Sequence, residues 1–305
     1  MLRRDCLKTL LALGAWGLLP QAVLGDTGPL GRVWDTRQEK WLDTQVLRER
    51  LLEASTIIVG ERHDNPEHHR LERWLVNILA DAGRLGGVAM EMLDAHQQTL
   101  LEAHSLDYWC SLDDDQLQKA LEWQEGWDWQ AYGPTVRRVL ELDVPLLGAN
   151  LVGDEVRGIA RAGKAPALSA SVAEWQRQAL IEGHCGMLPE DRLDGMLGVQ
   201  VARDRAMAKA LAALPEIGVL ICGAGHARRD VGVARYMTPK PLTLGLVELP
   251  AGMADWRQAL PRSADSDPAF DLVWFTPSMQ RDDPCKMLRR RFGGSSSEID
   301  DQGSM

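Results

Sequence analysis

Two apolar runs of the chain end in the same pattern. Thr56–Val59 leads into Gly60-Glu61-Arg62-His63, and Val219–Cys222 leads into Gly223-Ala224-Gly225-His226. A third run, Val88–Met92, carries Glu91 at its carboxyl end. In an open parallel sheet, ligands sit beyond the carboxyl ends of the strands. The spacing therefore predicts that His63, His226, Glu61 and Glu91 converge on one crevice. Glycine at the head of each motif permits a sharp turn and a close approach by another group. Two imidazoles and one or two carboxylates can work as an acid–base pair or hold a divalent metal. A metal held by His63, Glu91 and His226 keeps a position open for water, the arrangement of a metal-dependent hydrolase acting on a peptide or ester. The plainer reading makes each histidine a loop residue and pairs Glu91 with Arg62 or Arg228. His68 and His69, on the helix that follows, read as surface positions, as do His96, His104 and His184.

The chain has 11 Trp but only 3 Tyr, so each tyrosine can be weighed singly. Phenolate is an accepted axial ligand of haem iron. Tyr132 opens a helix in "WDWQAYGPTVRRVL", after two tryptophans, with Arg137 and Arg138 further along. Tyr236 follows the second histidine motif in "RRDVGVARYM", near Arg228, Arg229 and Arg235. A nearby cation lowers a phenol's pKa and can pair with an anionic propionate. Tyr132 is the first candidate, Tyr236 the second, and Tyr108 the third; each also reads as an ordinary half-buried tyrosine. Met187, Met196 and Met207 read as core. "CGAGHARRD" carries no GxGxxG and no Walker lysine, so a nucleotide site has little support.

The elements that must position these groups are legible as periodicities. Thr56–Val59, Val88–Met92, Val144–Leu147, Val219–Cys222, Leu242–Leu249 and Leu272–Phe275 read as strands covered on both faces. Helical patterns lie between them: from Pro66 onward, and over Trp127–Leu142, Ser171–Glu182 and Glu190–Leu214. Strand–helix alternation predicts an α/β fold, a mainly parallel sheet flanked by helices. Asp94 to Gly133 reads as a helical insertion or cap over one sheet edge. Residues 1–25 combine a basic start, a short apolar stretch and small residues, the make-up of an export signal of twin-arginine or general secretory type. Residues 26–292 read as a single domain and 293–305 as a disordered Gly/Ser-rich tail. Export makes disulfides possible. Cys222 ends an apolar strand and reads as buried, which leaves a bridge between two of Cys110, Cys185 and Cys285. Net charge is −10 and there is no basic stripe, which excludes a nucleic-acid partner.

With these residues on the page, the chain resembles the ChaN-like haem-binding proteins of the Tiki superfamily. The resemblance is carried by "VGERHDNPEHH", "VAMEMLDAHQQ", "WDWQAYGP", "PLLGAN", "GHCGMLPE", "VARDRAMAKAL" and "GAGHARRDVGVARYM", in order from Thr56 to Met237. It implies an α/β fold and haem binding in bacterial iron uptake, in the periplasm or at a membrane surface. It also implies a homodimer when loaded, with a tyrosine of one subunit and a histidine of the other at each iron, and other haem-uptake components as partners. No lipobox accompanies it, which leaves membrane attachment open. The wider superfamily includes metal-dependent proteases built on paired Gly-x-x-His motifs and an acid, which by resemblance would make Gly60, His63, Glu91, Gly223 and His226 metal-site positions.

Overall fold

The computed structural model describes residues 28–283 apart from 264 and 265, together with 285, 286 and 289. The expected export signal and tail lie outside the described residues. The sheet is built around three strands: β3 (Thr56–Glu61), β4 (Leu85–Asp94) and β6 (Ile217–Gly223). Their residues alternate between two cores, one on each face. Ile57, Val59, Val88, Met90, Val219 and Ile221 enter one core; Ile58, Ala89, Leu220 and Cys222 enter the other. Burial on both faces is why these strands read as unbroken apolar runs.

The eight-stranded order is β2-β1-β8-β7-β3-β6-β4-β5. β5 (Leu146–Asn150), β7 (Leu242–Leu249) and β8 (Leu272–Pro277) complete a parallel body of six strands. β1 (Val33–Asp35) and β2 (Lys40–Leu42) add an antiparallel edge hairpin, β1 pairing with β8. The sequence reading contains neither of these strands: each has three residues, too few for a periodicity. Trp34 and Trp41 meet edge to face at 5.1 Å across the hairpin. β5 starts after Pro145 rather than at Val144 and runs on to Asn150.

α1 (Thr44–Leu52) and α2 (Pro66–Asp81) border β3. α2 starts with Asn65 capping the Glu67 N–H and Pro66 in the first turn, where its missing N–H costs nothing. α3 (Ala95–Ala103), α4 (Leu106–Ser111) and α5 (Asp114–Ala120) form the insertion after β4. α4 and α5 pack on α6 (Trp129–Glu141), and Trp109, Leu117, Leu121 and Trp123 join the core on that face. α3 packs on the edge strand β5 and on β4, so the insertion covers that edge as well as the α6 face. On the other face, α7 (Gly153–Ala162) and α8 (Ala170–Gly183) pack on α9 (Glu190–Ala212), which covers β4, β5 and β6. A one-turn α10 (Ala224–Ala227) follows β6 directly. Cys185 and Cys285 form a disulfide across 100 residues of chain, Cys222 is buried, and no described helix is long and apolar enough to cross a membrane.

Candidate functional site

β6 lies between β3 and β4, so the carboxyl ends carrying Glu61, Gly223 and Glu91 stand side by side. Glu91 is buried and accepts the Gly223 N–H at 2.7 Å. His63 Nε2 lies 4.0 Å from one Glu91 oxygen, and His226 Nε2 lies 3.7 Å from the other. His226 Nδ1 in turn meets Asp204 of α9 at 2.6 Å. Burial pushes the His226 pKa down, but the charges of Glu91 and Asp204 outweigh it and the net direction is up. Burial likewise opposes protonation of His63, and Glu61 and Glu91 reverse the sign. Burial raises the pKa of Asp204. His63, Glu91, His226 and Asp204 thus form a run of acids and bases from one face of the sheet to the other, hydrogen-bonded at His226–Asp204 and at ion-pair distance elsewhere.

The glycines act by close approach, not by turning the chain. A Cβ on Gly223 would stand 2.8 Å from His63 Nε2, and one on Gly60 would stand 2.6 Å from the Ala227 Cβ. Gly223 has φ −58°, open to any residue. The expected single crevice is divided. His63 opens with Trp127 and Tyr132 on a cavity of about 670 Å³, on the α2/α6 face. His226 opens with Trp175, His184 and Asp204 on another of about 250 Å³. α10 begins at Gly223 and carries His226 to the α9 face, while His63 stays on its own side; Glu91 stands between them.

Behind His63 is a buried polar network. Glu61 accepts from the Tyr132 hydroxyl at 2.7 Å and faces His63 Nδ1 at 2.9 Å. Its second oxygen stands 3.0 Å from His69 Nδ1, which is 3.5 Å from Glu72. The 3.0 Å approach is not aligned as a hydrogen bond, so it counts as an ion-pair distance only. Burial pushes the Glu61 carboxyl up, yet contacts with His63 and His69 bring it well below the usual carboxylate range. Burial and the Glu61 charge push Glu72 up to about 8. Burial lowers His69, but Glu61 and Glu72 raise it to about 10. His68 and His69 are therefore not surface residues: both are buried. His68 Nδ1 accepts the Arg62 N–H at 2.9 Å and its Nε2 donates to Thr276 at 2.8 Å. Those bonds satisfy a neutral ring, and burial takes its pKa to about 4.

The tyrosines separate sharply. Tyr132, the first candidate for an iron ligand, is buried, and burial and Glu61 push its phenol far above the usual range. Arg137 and Arg138 do not attend it; they bond Asp114 and Asn77. Tyr236 is half-buried at the end of a 3-10 turn, with the Arg205 and Arg235 guanidinium groups 5.4 and 5.5 Å from its ring centre. Arg235 also reaches its hydroxyl at 3.5 Å. Tyr108 is exposed and stacks on His104. Arg62 pairs with Asp64, and Arg228 with Asp230, so neither takes Glu91. His96 and His104 are exposed and His184 is half-buried; Met207 is core but Met187 is exposed.

Asp204, Glu72 and His69 as site residues were missed. Their signal was available. Asp204 falls in register with the buried Val201, Met207 and Leu211 of α9, and Glu72 with Leu75 and Leu79 of α2. A charged residue on the apolar stripe of a helix must meet a partner inside.

The protein-family model described as "Haem-binding uptake, Tiki superfamily, ChaN" matches residues 47–237. No curated protein matches the chain. Among solved structures, "Cofacial heme binding to ChaN of Campylobacter jejuni" superposes with a TM-score of 0.66 at 23% identity, covering 79% of this chain and 95% of that one. This likeness establishes the fold. The type III effector HopBA1 matches at a TM-score of 0.43 and 12% identity, over 76% of this chain and 92% of that one, too distant to carry an argument.

Proposed function

We propose that this chain, which belongs to the ChaN haem-binding uptake family of the Tiki superfamily, itself binds ferric haem and serves its uptake. The family match carries the reading: its span takes in both Gly-x-x-His motifs, Tyr132 and Tyr236. The residues present fit haem at one tyrosine better than at the other. A phenolate is a hard donor suited to Fe(III). Tyr236 is half-buried, and Arg205 and Arg235 beside it are placed to pair with propionates. Tyr132 would first have to surrender its bond to Glu61. Tyr236 is therefore our iron ligand. The haem-loaded form is a dimer, by analogy with the cofacial binding described for the C. jejuni protein. The Cys185–Cys285 disulfide supports export to an oxidising compartment such as the periplasm.

The test is a haem titration followed in the visible spectrum. Wild type and Tyr132→Phe should show a phenolate-to-iron charge-transfer band. Tyr236→Phe should lose the band and bind at least tenfold more weakly. Unchanged spectra and affinity in both variants would remove the tyrosine assignment. No saturable haem binding by the wild type would remove the function.

One observation favours a second reading, a metal-dependent hydrolase: Glu91 stands between the imidazoles of His63 and His226. Turnover of a chromogenic ester or peptide by metal-loaded protein, abolished in His226→Ala, supports it. Absence of turnover across zinc, manganese and cobalt counts against it.

A further inference from the structure

We propose that Glu61, His69 and Glu72 form a buried binding site for one first-row divalent cation, distinct from the His63–Glu91–His226 set. One ligand atom from each of the three lies within 4.8 Å of the others, the tightest such grouping of potential ligands among the described residues. Glu61 and His69 come from the end of β3 and the first turn of α2, and Glu72 lies one turn further along α2.

Three observations point to a cation. First, the donor atoms lack other partners. Glu61 Oε2, His69 Nδ1 and both oxygens of Glu72 are buried and make no hydrogen bond. A carboxylate so placed is costly to keep charged unless a proton or a metal cation meets it. Second, the tautomer is set from outside. His69 Nε2 faces the His63 carbonyl at 3.1 Å, and since a carbonyl only accepts, that nitrogen carries the proton. In the neutral ring the Nδ1 lone pair then points among the carboxylates, as in a metal-bound histidine whose other N–H is held by a backbone carbonyl. Third, the spacing suits ligands around an ion. His69 Nδ1 stands 3.0 Å from Glu61 and 3.5 Å from Glu72. Two donors each about 2.0–2.2 Å from one ion, at angles between octahedral and tetrahedral, are about 3.0–3.5 Å apart.

Two carboxylates and a neutral imidazole bring two negative charges, which a divalent cation cancels; it would enter by displacing the protons that Glu72 and His69 otherwise hold. A nitrogen and two oxygens suit zinc or manganese better than magnesium or calcium, which favour all-oxygen sets. The site is not remote from solvent: His69 and Tyr132 form part of the wall of the cavity that His63 lines.

The experiment uses haem-free full-length protein, stripped with chelator and titrated with zinc against a chromophoric competitor. One equivalent should bind, and Glu72→Gln should weaken it at least a hundredfold. In wild-type protein, long-range ¹H–¹⁵N spectra should show the His69 Nδ1 resonance move to a metal-bound position on adding zinc, a readout that does not depend on any variant folding. Three results overturn the proposal: no zinc bound, a His69 ring that stays doubly protonated in excess zinc, or zinc that His226→Ala removes and Glu72→Gln retains.

Discussion

At the residue scale, the two motif glycines give a graded expectation. Both positions exclude a β-carbon, but the obstacles differ. At Gly223 the new methyl meets the edge of the His63 ring, which can rotate away. At Gly60 it meets the Ala227 methyl at 2.6 Å and the Ala224 backbone at 3.1 Å, which cannot yield without moving α10. Gly60→Ala should therefore cost about 2 kcal/mol or more, and Gly223→Ala less. Urea unfolding measures both, and equal costs would contradict the account. Gly223→Ala should instead displace His63 from Glu91, visible as a change in the His63 titration by NMR. Asp204→Asn should lower the His226 pKa, because the lost charge is one of those holding it up against burial. An unchanged His226 titration would mean that Glu91 alone supports the proton.

At the element scale, Asp271 joins segments that are far apart in the chain. One oxygen accepts from the Thr243 N–H and hydroxyl of β7, both at 3.0 Å. The other accepts from Arg37, beyond β1, at 2.7 Å and from Arg229, after α10, at 3.2 Å. Burial raises its pKa, but the Thr243 and Arg37 bonds prevail and hold it below the ordinary 3.8. A carboxyl depressed in the folded state binds fewer protons there than in the unfolded chain. Its contribution is thus complete above about pH 4 and is lost as pH falls through the folded value. Asp271→Asn should cost about 2 kcal/mol at pH 7 and clearly less at pH 3. Denaturant melts at the two pH values check this, and a pH-independent difference would show that packing, not charge, is at stake.

At the scale of the whole molecule, the Cys185–Cys285 bridge joins the α8–α9 connection to the far end of the described chain. Closing a loop of 100 residues restricts the unfolded ensemble, and removing the bridge should cost about 4 kcal/mol. Cys285→Ser should melt earlier than wild type under non-reducing conditions, and equally with fully reduced wild type. The fold also sets how the two cavities relate. They lie on opposite sides of the sheet, with the buried Glu91 between the His63 of one and the His226 of the other.

The sequence by itself determined the six parallel strands, most of the helices between them and the convergence of Gly60, Glu91 and Gly223 on one end of the sheet. Those features follow from local periodicity and from the fact that parallel strands must be buried twice. The β1–β2 hairpin was not legible, since two three-residue strands leave no period to read. Residue type alone argued that His68 and His69 face solvent. Their burial depends on partners 200 or so residues away in the case of Thr276, or on another element in the case of Glu61, and these offset the desolvation. Tyr132 and Tyr236 looked alike in sequence, each with arginines nearby. Only the packed structure decided that the Tyr132 hydroxyl meets a buried carboxylate while the Tyr236 ring lies beside two guanidinium groups, because a side chain's surroundings are set by what packs within a few ångströms of it and not by what adjoins it in the chain.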